Sequence, residues 1–191
     1  MRKITIDLET KNFFQDVGSN DPADLDISVV CIHDSFDDQF KSYFENDFRN
    51  LWPILEAADM FITWNGDHFD IPLLNKYYPG DLTKIKSLDL MKEVAKVIGR
   101  RLKLDSVAEA TLNANKSGYG ADAVTWWQNN ELDKLVSYCI DDVRLTKELY
   151  EYALANGRLK YKEFGALKDI ALNTSSWEAP ASAALTYTLP F

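Results

Sequence analysis

The stretch KITIDLE, residues 3–9, limits what this chain can fold into more than any other segment. Ile4, Ile6 and Leu8 alternate with Thr5, Asp7 and Glu9, and a period of two marks a β-strand whose side chains leave opposite faces. One face is apolar enough to sit against a core. The other carries two carboxylates from positions two apart, hence side by side. Such a strand needs partners, and the following segments supply them. ISVVCIHD (27–34) and QFKSYF (39–44) read as two strands around the turn SFDD, giving a three-stranded meander. Residues 10–26, with Gly18 and Asn20-Asp21-Pro22 but no lasting period, read as a loop.

After the meander, helical spacing takes over. Asp47 is placed to cap a helix to about Ala58, since Phe48, Leu51, Trp52 and Leu55 recur every three or four residues. MFITWN (60–65) returns as a strand, and Asp70 with Pro72 suits the opening of a helix ending near Pro79-Gly80. A short strand around Ile85–Leu88 precedes two helices, DLMKEVAKVIG and KLDSVAEATL, split at Gly99. NANKSGYGAD (113–122) reads as a loop, and Asp122 opens a short helix carrying Trp126 and Trp127. A long helix follows from about Glu131 to Leu154, its apolar stripe made by Leu132, Leu135, Val136, Cys139, Val143, Tyr150 and Ala153. A hairpin turning at Gly165 is expected over 158–172, with a tail beyond.

A meander followed by strands alternating with helices predicts an α/β domain, a mixed central sheet with helices on both faces. With 191 residues and 46% apolar content there is enough for one core. Residues 1–155 are expected to form it, with the hairpin and tail of 156–191 packed on the same domain. Cys31 and Cys139 both sit in apolar segments, which fits reduced thiols in a cytoplasmic protein better than a disulfide framework. The first residues, MRKITIDLE, do not read as a leader, and no apolar run approaches a membrane span. A net charge of −9 argues against a general nucleic-acid coat protein, whose affinity comes from Lys and Arg. It leaves a nuclease open, because a site that gathers carboxylates for cations is acidic until the cations reverse its sign.

Three acidic elements bear on chemistry. Asp7 and Glu9 either line a solvated edge or hold a cation between them, since two like charges on a central strand are costly to desolvate. Asp70 reads first as a helix cap, but it stands in a loop leaving the C-terminal end of a strand, where α/β sheets commonly build sites, together with Asn65 and Phe69. Tyr138 and Asp142, four apart on the long helix, share a face beside Cys139 and Val143, whereas Asp141 points about 100° away. Taken singly, each has an ordinary structural explanation. Together they offer four oxygen-donor acids of the kind hard divalent cations take.

In that order, Asp7-x-Glu9-Thr10, Asn65-x-x-x-Phe69-Asp70 and Tyr138-x-x-x-Asp142 resemble the three motifs of the DEDD superfamily of 3′-to-5′ exonucleases, in its tyrosine-containing (DEDDy) branch. WNGDHFDIPLL and YCIDDVRLT are particularly similar to proofreading exonuclease domains of family B DNA polymerases and to stand-alone predicted exonucleases. The likeness covers about residues 1–155 and implies a ribonuclease H-like fold and phosphodiester hydrolysis at a nucleic-acid 3′ end, with single-stranded DNA the expected substrate. It implies two ions, Mg²⁺ or Mn²⁺, with Asp7 bridging both, Glu9 and Asp142 completing the nucleophile side, and Asp70 on the leaving-group side. Tyr138 would orient the attacking water, and Leu8, Thr10, Asn65 and Phe69 match positions near the terminal nucleotide. Whether the chain works alone or with a polymerase or helicase partner stays open. Two other readings stay open: a catalytically silent ribonuclease H-like module binding nucleic acid or a partner, and an endonuclease of the same fold. Trp126 and Trp127 fill core or stack on bases; Arg158, Lys160 and Lys162 form a solvated face or touch phosphates.

Overall fold

Alternation shapes the first strand, and its neighbours decide where it sits. A computed structural model describes residues 1–114 and 120–179. Strand β1 (Lys3–Thr10) is followed by a short helix α1 (Phe14–Val17), then by β2 (Ile27–Asp34) and β3 (Gln39–Tyr43). The expected meander forms, with β1 and β3 both antiparallel to β2. The segment expected to be loop carries more structure than its composition suggested. Asp16 accepts from the Phe13 amide at 2.7 Å to fix α1, and Asp21 accepts from the Ala23 amide to start a 3-10 turn at Pro22.

Helix α2 spans Phe48–Glu56, where the spacing places it. Asp47 makes no side-chain cap bond; it belongs to a 3-10 turn that runs directly into the helix. Strand β4 (Met60–Thr63) leads to α3 (Asp70–Asn75), which stops well short of Pro79-Gly80. Its last residue turns to other work, the Asn75 side chain accepting from the Leu82 amide at 2.9 Å. Strand β5 (Lys86–Asp89) and helices α4 (Leu90–Ile98), α5 (Leu104–Leu112), α6 (Gly120–Gln128) and α7 (Leu132–Asn156) follow. Helix α6 begins two residues before Asp122, and residues 115–119 of the expected loop lie outside the described part. Strands β6 (Arg158–Glu163) and β7 (Ala166–Ala171) form the hairpin around Gly165.

The sheet order is β3-β2-β1-β4-β5, with β4 and β5 parallel to β1. The acidic strand therefore lies in the middle. Its apolar face, Ile4, Ile6 and Leu8, packs against Leu51 and Leu55 of α2 and Leu73 of α3. On the opposite face Val29 and Cys31 of β2 meet Leu135, Tyr138, Cys139 and Val143 of α7, while Met60 and Ile62 of β4 meet α5 and the later part of α7. Helices thus cover both faces of a mixed sheet. The hairpin buries Leu159 and Ile170 in the same core, and beyond it Trp177 stacks on Tyr150 at 6.0 Å. The start of the expected tail is therefore docked: the Lys86 ammonium donates to the carbonyls of Trp177 and Ala179. The tail from 180 onward lies outside the described residues. No helix among them is long and apolar enough to cross a membrane.

Candidate active site

A central strand delivers side chains to the sheet's C-terminal edge, where the loops open. At that end of β1 the regular pairing with β2 breaks between Glu9 and Thr10, a bulge that re-aims the last residues. Among the described residues, Asp7, Glu9 and Asp142 form the acidic group able to share a cation, with one oxygen from each within 4.8 Å of the others. Asp142 reaches them because α7 crosses the face of β1 and β2. Cys139, one turn before Val143, seats the helix there: its thiol lies 3.5 Å from the Asp7 carbonyl and 3.6 Å from its carboxylate. Burial, and Cys31 beside it, push the Cys139 thiol well up, so it stays protonated and weakly donating.

Asp70 is the first residue of α3, but it does not cap that helix. Its Oδ1 accepts the amide proton of Leu8 at 3.1 Å, clamping the second motif to the first strand. It is 3% exposed, and its carboxyl is pushed up to about 7 by burial. Asp89 and Asp142 push it in the same direction, against the backbone N–H groups of Leu8 and Asp70 itself. A carboxyl in that position accepts charge readily once a cation is near.

Tyr138 and Asn65 share a cavity of about 650 Å³ with Asp7 and Asp142. Tyr138 is held edge-on by Trp126, ring centroids 5.5 Å apart, so that tryptophan supports the site from behind. Asn65 has a left-handed backbone (φ 70°), and its side-chain carbonyl oxygen is buried without a hydrogen-bond partner among the described residues. The turn after it is tight: a Cβ on Gly66 would lie 2.4 Å from Thr63, so only glycine fits. On the other side, Glu9, Thr10 and Phe69 line a cavity of about 740 Å³ with Phe13 and Phe14, where Phe14 meets Phe69 edge-on at 6.2 Å. Leu8 turns its side chain into the core; its contribution is the backbone N–H that holds Asp70.

One residue went unnoticed in the sequence. Asp89, buried at the end of β5, accepts from the amides of Asn65 (2.9 Å), Met91 (3.0 Å) and Lys92 (3.3 Å) through one oxygen. It both caps α4 and holds Asn65 in its left-handed turn. An Asp directly before LMKEVAKVI is the usual N-cap signal, but nothing local shows its reach to residue 65.

Three carboxylates with no imidazole or thiolate among them suit a hard divalent cation of the Mg²⁺ or Mn²⁺ type. Comparison with known proteins identifies the family and the fold. The RNase_H_2 family, of the RNase_H superfamily, matches residues 6–154, a span that contains every acid described above. Among solved structures, the family B DNA polymerase from the hyperthermophilic archaeon Pyrobaculum calidifontis is similar, with a TM-score of 0.64 and 19% sequence identity over 81% of this chain. The match covers 24% of that polymerase. No curated protein matches.

Proposed function

This chain belongs to the RNase_H_2 family of the RNase H superfamily, and from that premise we propose that it is a 3′-to-5′ exonuclease of the DEDDy type acting on single-stranded DNA. The observation that carries the reading is the meeting of Asp7, Glu9 and Asp142 within 4.8 Å, from a strand and a helix 132 residues apart in sequence at Asp7 and Cys139. Mutually repelling acids are expensive to hold together unless a cation is part of the design.

Asp7, Glu9 and Asp142 would hold two Mg²⁺ or Mn²⁺ ions, with Asp70 turned toward the same charge. When bound, such ions supply activation of water and neutralisation of the charge growing on phosphorus. The rest falls to side chains. Tyr138 positions the attacking water through its phenol hydroxyl. Asn65 offers a fixed acceptor to the terminal sugar or base. The aromatic cavity of Phe13, Phe14 and Phe69 takes the terminal bases by stacking, which is tolerant of sequence. The fold shared with a DNA polymerase supports DNA as the substrate and a polymerase or helicase as partner. Buried free thiols at Cys31 and Cys139 agree with a reducing cytoplasm.

The test is a 5′-labelled single strand incubated with the protein and Mg²⁺. A ladder shortening from the 3′ end, abolished by chelator, is expected. Internal cuts would instead mark an endonuclease, and an intact strand a silent binding module.

A further inference from the structure

The segment Gly99-Arg-Arg-Leu-Lys103 joins α4 to α5 and alternates in burial: Arg101 and Lys103 are exposed, Leu102 is half-buried, Leu104 is buried. The two leucines pack into the core with Val94 and Val107, which anchors the segment from below. From the side it is anchored by Trp64, whose indole N–H donates to the Leu102 carbonyl at 3.3 Å, one residue before Asn65. Lys103 has an extended backbone (φ −75°, ψ 146°), so side chains two apart leave the same way. Both cations consequently stand on the wall of the cavity that holds Asp7, Tyr138 and Asp142.

Three other cations, from this segment, α4 and β6, are already paired. Arg100 meets Glu163, Lys92 meets Asp67 at 2.7 Å, and Lys162 meets Glu109 at 2.6 Å. Arg101 and Lys103 make no side-chain hydrogen bond or ion pair with the described residues. In a chain of 30 acidic and 21 basic residues, two cations held on a fixed wall beside the site and left without a carboxylate have charge to give to something else.

We propose that Arg101 and Lys103 are the phosphate-binding wall of the site, contacting the backbone phosphates of the strand on the 5′ side of the bond being cut. The proposal rests on the exonuclease reading for the identity of the strand. It assigns a split of labour: bases go to the aromatic cavity beside Glu9, and the charged backbone passes along the cavity of Asp7 and Asp142. Guanidinium and ammonium groups bind phosphate oxygens without reading sequence, which is what an enzyme stepping along a strand requires.

Binding of a fluorescein-labelled single strand, followed by anisotropy in Ca²⁺ at several KCl concentrations, tests it, with hydrolysis in Mg²⁺ measured in parallel. For Arg101→Ala and Lys103→Ala the slope of log K against log[KCl] should shrink by about 0.7 per residue, and the double variant should raise KM roughly tenfold with kcat little changed. Arg101→Lys should keep the slope. Equal slopes in all variants, or a fall in kcat at constant KM, would overturn the proposal, as would a wild type that does not bind the strand. Should the wild type bind with the expected slopes yet leave the strand uncut, the phosphate wall stands and the exonuclease reading fails. If the enzyme cuts from the 3′ end while the variants keep unaltered slopes, the exonuclease reading stands and the phosphate wall fails.

Discussion

Asp34 and Asp70 lie at opposite ends of one sheet, both withdrawn from water, and they are treated in opposite ways. Asp34, 0% exposed at the end of β2, accepts from Arg2 Nε (3.0 Å) and Nη2 (2.5 Å), from the Phe36 amide and from Lys41. Burial pushes its carboxyl up, but those partners outweigh it and hold the group below the usual carboxylate range. Asp70 has the same burial without the cations: its charged neighbours are Asp89 and Asp142, and its carboxyl rises to about 7. A buried acid neutralised from within belongs to the architecture. One surrounded by its own kind is waiting for charge from outside.

The sharpest way to break this contrast is a pair of substitutions with opposite signatures. Asp7→Ala should lower hydrolysis on the order of 10³-fold or more by removing a ligand shared within the acidic group. Its melting temperature should hold or rise, because repulsion is relieved. Asp34→Ala should do the reverse. It leaves Arg2 without its partner and costs about 2–3 kcal/mol, toward the low end for a broken pair because Arg2 keeps a route to water, while the rate per folded molecule stays the same. Thermal melts beside a rate assay separate the two. If Asp7→Ala still cuts, the acidic group is not the catalytic centre.

The next largest effect is on pH dependence. Asp70 has a folded pKa of about 7 above an ordinary 3.8, so the folded state binds its proton more tightly than the unfolded state. Its contribution is therefore full below about 3.8 and lost as pH rises through 7. Asp34 has the opposite sign: depressed on folding, it contributes above the ordinary range and fails only in acid. In metal-free buffer, lowering pH from 8 to 6 should raise the melting temperature of the wild type but not of Asp70→Asn. Mg²⁺ should then stabilise the wild type more at pH 8 than at pH 6, since it binds the charged form. A pH-independent Mg²⁺ shift would remove Asp70 from the site's electrostatics.

What the sequence made legible follows the range of the interactions involved. Asp7 and Glu9 could be read from strand alternation, and Tyr138 with Asp142 from helical spacing, because a local period fixes which way each side chain points. The meander and the long α7 were readable for the same reason. The bond that fixes Asp70 was not. Its cap reading was local and wrong, because the Leu8 amide that claims its oxygen is 62 residues away in sequence. Likewise α3 ends early where Asn75 is drawn to Leu82, and Asp89 holds a residue 24 positions upstream. Such bonds leave no period to detect.

Asp89 gives a smaller, finer test. Asp89→Ala removes the cap of α4, at about 1 kcal/mol, and frees Asn65 from its left-handed turn, so turnover should fall roughly tenfold with KM rising as the terminal nucleotide loses a fixed contact. Asp89→Asn keeps an oxygen in place of the one that accepts all three amides and should restore most of the loss. If the Asn variant were as poor as Ala, the charge of Asp89, rather than its acceptor geometry, would be what the site needs.

The same contrast, transposed to cations, predicts the smallest effect. Arg158 and Lys162, on β6, have the spacing that would let them share a strand face and touch phosphates, yet Arg158 pairs with Asp169 across the hairpin at 3.1 Å and Lys162 with Glu109 of α5. Both pairs are about half exposed, where such pairs contribute under about 1 kcal/mol each. Arg158→Ala and Lys162→Ala should therefore shift the melting temperature by a degree or two, and leave the salt dependence of strand binding as it was. A reduced slope in either variant would mean that a cation already engaged by a carboxylate can still be recruited by the substrate. Pairing within the fold would then no longer tell structural charges from functional ones.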